Sequence, residues 1–343
     1  MPVSVRLAGA GDEQAWDAYV RGADEATFFH LWGWRRAVEA AFAHDCPYLL
    51  AESGGVVAGV LPLVRIRSRL FGHSLTSTAF AVYGGALGDT PDVSRALVER
   101  AVALADEMRV DYLELRHLRK SELGWPSKDD AYATFRRPIS GDADANLKAI
   151  PRKQRAVVRK ALERCLASEI DDGLDRFFRL YATSVRNLGT PVFPRRWFAA
   201  LKDVFGEACD VLVVSHDGTP VSAVMNFYFR GEVLPYYGGG GREARALGAN
   251  DFMYYDLMCR AGARGCAGFD FGRSKVGSGA YAFKRNFGFD PTPLHHEFYL
   301  RGGGGMPETS PTNPKYRLMI QAWSRLPLPV ANALGPLISR SLG

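Results

Sequence analysis

One order of elements is written twice in this chain, and that repetition constrains the fold more than any single motif does. In the first half, "FFHLWGWRRAVEAAF" places Trp34, Val38 and Phe42 at helical spacing. "YLLAESGGVVAGVLPLVRIR" then reads as a hairpin, with apolar strands on either side of a Ser-Gly-Gly turn. "YGGAL", a helix over about Val93 to Met108 and the strand "DYLELRH" complete the unit. The second half repeats the order. It has the helix "FPRRWFAALKDVF", a hairpin "VLVVSHDGTPVSAVMNFYF" turning at Asp217–Gly218, the run "YYGGGG", a helix over about Asn250 to Ala263 and the strand "GFDFGRS". Tyr83-Gly84-Gly85 corresponds to Tyr237-Gly238-Gly239, and Glu114 to Asp270.

This alternation predicts an α/β (α+β) protein of two similar domains. A length of 343 residues is enough for both. The polar stretch "RRPISGDADAN", holding Pro138 and Gly141, marks the join. The expected division is 1–140 and 141–301, followed by a tail over 302–343 that starts at the flexible glycines Gly302 to Gly305. Leu318, Ile320, Trp323 and Leu326 give the tail a helical stretch broken by Pro327 and Pro329. Its apolar residues need cover, and docking onto the first domain is the expected arrangement. The other reading is an interfacial membrane segment, with Lys315, Arg317, Arg325 and Arg340 near lipid phosphates.

Five scattered cysteines without a CxxC pair point to neither a disulfide framework nor a zinc site. The start, "MPVSVRLAGAGDEQAW", has no apolar core of a signal peptide, and no apolar run is long enough to span a bilayer. A cytoplasmic protein is expected. A net charge of +6 suits anionic partners, namely nucleic acid, a membrane surface or a phosphorylated substrate.

The stretch "GSGAYAFKRNFGF", residues 277–289, is the densest in chemical possibility. Ser278 is placed to N-cap a short helix. Ala280, Phe283 and Phe287 would then face inward, with Tyr281 and Lys284 together on another face. Gly288 suits a left-handed stop. Lys284 would lie near the C-terminal end of the strand "FDFG", the edge at which many α/β sheets bind ligands. The plain alternative is a solvated lysine closing a helix end.

Two other segments invite a phosphate. In "KAIPRKQRAVVRKALERC", Arg152, Arg155 and Arg159 share a helical face beside Lys153, Lys160 and Arg164, over an apolar stripe of Val158, Leu162 and Cys165. Such a helix binds a phosphate backbone or is simply solvated. "YYGGGGREARALGAN" reads as a phosphate-cradling loop leading into a helix N-terminus. No G-x-S-x-G elbow, HExxH or G-K-[ST] phosphate loop is present. His295–His296 lies in an apolar strand whose neighbours face opposite ways, so no metal site is expected.

"FDFGRSKVGSGAYAFKRNFGFDP" resembles the C-terminal signature of the FemAB-like proteins, in particular those associated with PEP-CTERM/exosortase systems. The resemblance covers roughly residues 25–300. It implies two tandem GNAT-like (acyl-CoA N-acyltransferase) domains with a central cleft and no coiled-coil arm. The related peptidyltransferases take an aminoacyl group from tRNA and place it on a UDP-linked muropeptide. The PEP-CTERM branch implies an exopolysaccharide precursor instead. No separate cofactor is implied beyond the acyl donor.

Phe283-Lys284 matches the family's catalytic Phe-Lys pair. Arg36, four residues after Trp32, and Arg186 in "LYATSVRNLG" are the matches for substrate-phosphate ligands. Tyr237, Arg273, Tyr281 and Phe283 complete the expected substrate site. The chemistry implied is acyl transfer to an amine, with Lys284 stabilising charge on the carbonyl oxygen or neutralising a phosphate. Asp270 and Asp251 are the candidate bases. A CoA-dependent N-acyltransferase is the alternative enzyme. Arg245-Ala246-Leu247-Gly248 meets part of the R/Q-x-x-G-x-G/A pattern, but Asn250 stands where Gly or Ala is needed. A non-catalytic binding protein of polysaccharide assembly is the third reading.

Overall fold

The computed structural model describes residues 2–68, 71–307 and 314–343, with side chains from Leu318 onward in the last stretch. Along the chain run strands β1 (Val3–Leu7), β2 (Leu49–Ser53), β3 (Val56–Leu61), β4 (Leu63–Ser68), β5 (Gly72–Ser77), β6 (Leu87–Gly88), β7 (Tyr112–His117) and β8 (Ser127–Lys128). Helices α1 (Glu13–Gly22), α2 (Trp32–Phe42) and α3 (Pro91–Glu107) accompany them. Next come β9 (Tyr132–Pro138), β10 (Leu166–Ile170), β11 (Cys209–His216), β12 (Thr219–Phe229), β13 (Glu232–Gly240), β14 (Gly268–Asp270), β15 (Ser274–Lys275), β16 (Pro291–Pro293) and β17 (His295–Leu300). The remaining helices are α4 (Ala143–Ala149), α5 (Arg152–Leu162), α6 (Asp175–Asn187), α7 (Arg195–Phe205), α8 (Ala244–Leu247), α9 (Ala249–Ala263), α10 (Gly279–Asn286), α11 (Pro314–Ser324) and α12 (Leu328–Ser339).

The chain divides into two compact units. One comprises Met1–Ala131, Pro293–Ser310 and Ile338–Gly343; the other comprises Tyr132–Thr292 and Pro311–Leu337. The division expected near residue 140 thus falls before β9. That strand belongs to the second unit because it pairs with β14 and β15 there. Of the tail expected to dock on the first unit, only Ile338–Gly343 groups with it, while Pro311–Leu337 groups with the second.

In the first unit, Gly54 and Gly55 both take positive φ, the backbone a two-residue hairpin turn requires, and so join β2 to β3. One sheet has the order β1-β2-β3-β6 and the other β4-β5-β7-β17-β8. The α3 helix starts at the Thr90 cap and Pro91, and buries Val93, Leu97 and Leu104 against Leu49, Leu61 and Leu113. Each such side chain contributes about 1.5–3 kcal/mol on burial. Glu114 lies buried on β7. Its Oε1 is 3.1 Å from the Arg116 Nε and 2.8 Å from the His296 Nδ1. Burial opposes its charge, but Arg116 and then His296 outweigh that and hold the carboxyl well below the usual range. His295 meets Asp129 instead, at 3.1 Å.

The second unit is one sheet of order β10-β11-β12-β13-β14-β9-β15, with β16 beside β9. Phe135, Leu212, Val224, Leu257, Phe269 and Phe287 form its core. The run "YYGGGG" lies within or just beyond β13 and is not a phosphate loop. Packing explains its glycines. A Cβ on Gly239 would stand 2.7 Å from the Leu180 carbonyl oxygen and the Tyr181 Cα of α6, and one on Gly240 would stand 2.9 Å from the Ala244 Cβ. Helices approach this strand more closely than any side chain would allow. The corresponding Tyr83-Gly84-Gly85 lies outside any strand, with the point for a Gly85 Cβ 2.6 Å from the His117 Nδ1.

Of the expected stripe helix α5 buries Val158, together with Ala161, whereas Leu162 is 45% exposed and Cys165 lies on the surface. Cys46, Cys209 and Cys266 are buried, and Cys259 is half-buried.

Candidate active site

The parallel strands β13 and β14 pair only through Glu232–Gly268 and Val233–Phe269. Beyond that point β13 runs on to Gly240 and β14 stops at Asp270, and the Phe271 N–H turns to the Phe135 carbonyl at 2.8 Å. The strands therefore part at Asp270. Gly272 takes φ +67°, which turns the chain toward β15. Helix α10 then begins at Ser278, whose Oγ accepts the Tyr281 N–H at 3.2 Å. This is the cap that its sequence predicts.

The helix brings Lys284 back over the end of β14. Its Nζ donates to the carbonyls of Gly272 at 2.9 Å and Arg273 at 3.0 Å, and its side chain is only 9% exposed. The rings of Phe135 and Phe271 each lie 5.5 Å from the ammonium position. A solvated lysine is therefore not what α10 carries. Burial depresses the amine to about 7; the Asp270 charge opposes the shift and Arg273 adds to it.

Asp270 is itself buried. Its Oδ1 accepts the Gly272 N–H at 2.8 Å, and its Oδ2 is 3.6 Å from the Arg136 Nε. The Thr134 hydroxyl reaches Oδ1 at 3.5 Å. Arg273 lays its guanidinium 4.6 Å over the Tyr132 ring. Tyr281 is half-buried with its ring edge-on to Phe135 at 5.2 Å, and Phe283 contacts Tyr254 and Phe271. Ala280, expected inside, is exposed in the first turn of this helix, whereas Lys284, one turn further along the same face, is buried.

The structure thus gathers Lys284, Asp270, Arg273, Tyr281 and Phe283 at one sheet edge, together with Phe135, Thr134 and Arg136 from β9. Sequence reading missed the β9 residues. The signal was there in the i, i+2 spacing of Thr134 and Arg136 on one strand face. It also missed Ser274, whose buried Oγ has no hydrogen-bond partner among the described residues.

Other expected residues lie elsewhere. Tyr237 sits in an aromatic cluster with Tyr181 and Phe198, and its hydroxyl accepts the Trp197 Nε1–H at 3.0 Å. Arg186 lies in the last turn of α6 and donates to the Ser324 carbonyl at 3.2 Å. Arg36 belongs to the first unit, is exposed, and meets Glu13 at 3.4 Å. Asp251 stands in the first turn of α9 and accepts from Gln154 of α5. The Asn250 Oδ1 accepts the Ser222 hydroxyl at 2.6 Å. Ala161 of α5 comes within 3.2 Å of the point a Gly248 Cβ would occupy. The helix end expected to take a pyrophosphate is therefore occupied by a carboxylate and packed beneath α5. Among the described residues, no group of three or more His, Cys, Asp or Glu is placed to hold a metal ion.

The fold is of the GNAT acyltransferase type. Residues 152–285 match the acetyltransferase (GNAT) domain family. Among solved structures, the chain is similar to FemX at TM-score 0.70 and 16% identity, over 94% of this chain and 100% of that one. It is similar to L-PGS from Bacillus licheniformis at TM-score 0.57 and 13% identity, over 94% and 99%. A tandem GNAT protein from the clavulanic acid biosynthesis pathway matches at TM-score 0.54 and 14% identity, over 89% and 100%. No curated protein matches the chain by sequence.

Proposed function

We propose that this acyltransferase moves an aminoacyl group from aminoacyl-tRNA to an amine on a cell-envelope precursor, with Lys284 as the proton acceptor. The observation that carries this reading is the buried Lys284 amine at the parting of β13 and β14. A neutral amine has two N–H bonds and one lone pair. The Gly272 and Arg273 carbonyls engage both N–H bonds, which leaves the lone pair for an incoming proton. Depressed to about 7, the amine is poised between its two forms near neutral pH.

In the step, the acceptor nitrogen attacks the ester carbonyl of the donor. The C–N bond forms, the ester C–O bond breaks, and the nitrogen's proton passes to Lys284. The resulting ammonium returns a proton to the departing ribose oxygen, so the enzyme is restored. Asp270 favours the ammonium while it exists.

The resemblance of "FDFGRSKVGSGAYAFKRNFGFDP" to FemAB-like proteins supports a UDP-linked acceptor. Its PEP-CTERM branch supports an exopolysaccharide precursor as the other acceptor class. The carboxylate of Asp251 at the head of α9 disfavours a CoA pyrophosphate there, since like charges repel. The exposed Arg152, Arg159 and Lys160 of α5 suit a tRNA backbone.

The test is a transfer assay with radiolabelled aminoacyl-tRNA or acetyl-CoA as donor, and UDP-linked muropeptide or polysaccharide precursor as acceptor. Transfer from tRNA is expected, reduced at least about a hundredfold in both Lys284→Met and Lys284→Arg. Full activity in Lys284→Met would remove Lys284 from the chemistry. Substantial activity in Lys284→Arg would make it a fixed charge instead of a base. Turnover with acetyl-CoA alone would return the protein to the CoA-dependent enzymes.

A further inference from the structure

Helices α11 and α12 dock with one face and leave the other bare. On the docked side Trp323 and Ala331 are buried, Ile320 lies against Gly189 at the end of α6, and a Cβ on Gly335 would come within 2.8 Å of Val192. On the outer side of α12, Val330, Ala333, Leu334 and Leu337 are all exposed, at spacings of three, four and seven. Leu337 is 67% exposed. Leu318 and Met319 of α11 are 74% and 50% exposed, and Leu188 on the adjoining end of α6 is 71% exposed. A run of large apolar side chains of this kind marks a surface that meets another apolar phase.

Charge selects the occupant. Residues 314–343 contain Lys315, Arg317, Arg325 and Arg340 and not one Asp or Glu. The side chains of Lys315 and Arg317 lie outside the described residues, so only their formal charge enters. A second copy of this chain would bring the same positive charge against its own, which repels. An anionic lipid surface offers hydrocarbon to the leucines and phosphate to the basic side chains. With 11 and 12 residues, α11 and α12 are too short to cross a bilayer, for which about 20 are needed. No helix among the described residues is long and apolar enough to cross.

We infer that the outer face of α11 and α12 seats this protein on an anionic membrane surface, with both helices lying in the headgroup layer. This inference stands apart from the identity of the acyl donor and acceptor. The full-length chain is sedimented with vesicles of phosphatidylglycerol and phosphatidylcholine, or of phosphatidylcholine alone. Binding to the anionic vesicles is expected, weakened by high salt and at least about tenfold by Leu334→Ser with Leu337→Ser, at unchanged far-UV circular dichroism. Arg325→Glu is expected to weaken it too while leaving the apolar face intact. Absence of binding to anionic vesicles would overturn the proposal, as would binding that neither variant changes. Concentration-dependent dimers that Leu334→Ser with Leu337→Ser dissolves, without vesicle binding, would assign the face to a second copy instead.

Discussion

Replacing Lys284 with methionine tests the buried amine without reference to any substrate. The side chain keeps most of its length and loses its charge. In the folded chain the amine titrates near 7, whereas an unfolded lysine titrates near 10.5. Between those values the unfolded state holds the extra proton, so folding releases one and stability rises with pH. Below about 7 both states are charged, and the full cost of burying an ammonium is present. From pH 6 to pH 9 the linkage integrates to about two pH units, or about 3 kcal/mol. Lys284→Met lacks this contribution. The carbonyls of Gly272 and Arg273 lose their donor in the variant, but that cost does not vary with pH. The assay is urea unfolding of both proteins at pH 6 and pH 9. Wild type is expected to gain about 2–3 kcal/mol more than the variant over that interval. Parallel changes within about 0.5 kcal/mol would show that Lys284 titrates as an exposed lysine, and the base assignment would fall with it.

Three further outcomes follow from the same unit. Gly239→Ala drives a methyl group into the backbone of α6 and is expected to cost about 1–3 kcal/mol in urea unfolding. Gly279→Ala, with open space where its Cβ would stand, should be neutral or slightly stabilising, and equal effects at the two sites would discredit the packing account. Asp270→Asn removes the charge that holds the Lys284 amine up, so the midpoint of a pH–rate profile should move to lower pH. A midpoint that stayed or rose would sever the link between the two residues.

Much of the fold was legible locally. The two hairpins, α3, α7, α9 and the Ser278 cap each lie where short-range patterns place them, because turn glycines, caps and helical spacing act over a few residues. Strand β9 was not legible. "YATFRRP" ends in two arginines and a proline, and its partners Gly268 to Asp270 and Ser274–Lys275 lie far along the chain. The glycines of "YYGGGG" misled for a related reason. A glycine that admits a ligand and one that admits a neighbouring helix look alike until the helix is seen, and here α6 is what Gly239 admits. Tyr237 and Arg186 fit substrate ligands by sequence alone, and in the structure the Tyr237 hydroxyl meets Trp197 and the Arg186 guanidinium meets Ser324.

By itself, the sequence determined that two α/β units follow one another and that a short capped helix carries Lys284 beside the strand ending in Asp270. Those features depend on contacts between near neighbours. Only the tertiary structure decided that Lys284 turns inward. Its environment is assembled from Phe135 on β9, Phe271 after β14 and two main-chain carbonyls, and no local pattern reports them together. Removing water from an amine is what moves its ionisation toward neutrality, and how much water is removed depends on which distant strands close around it.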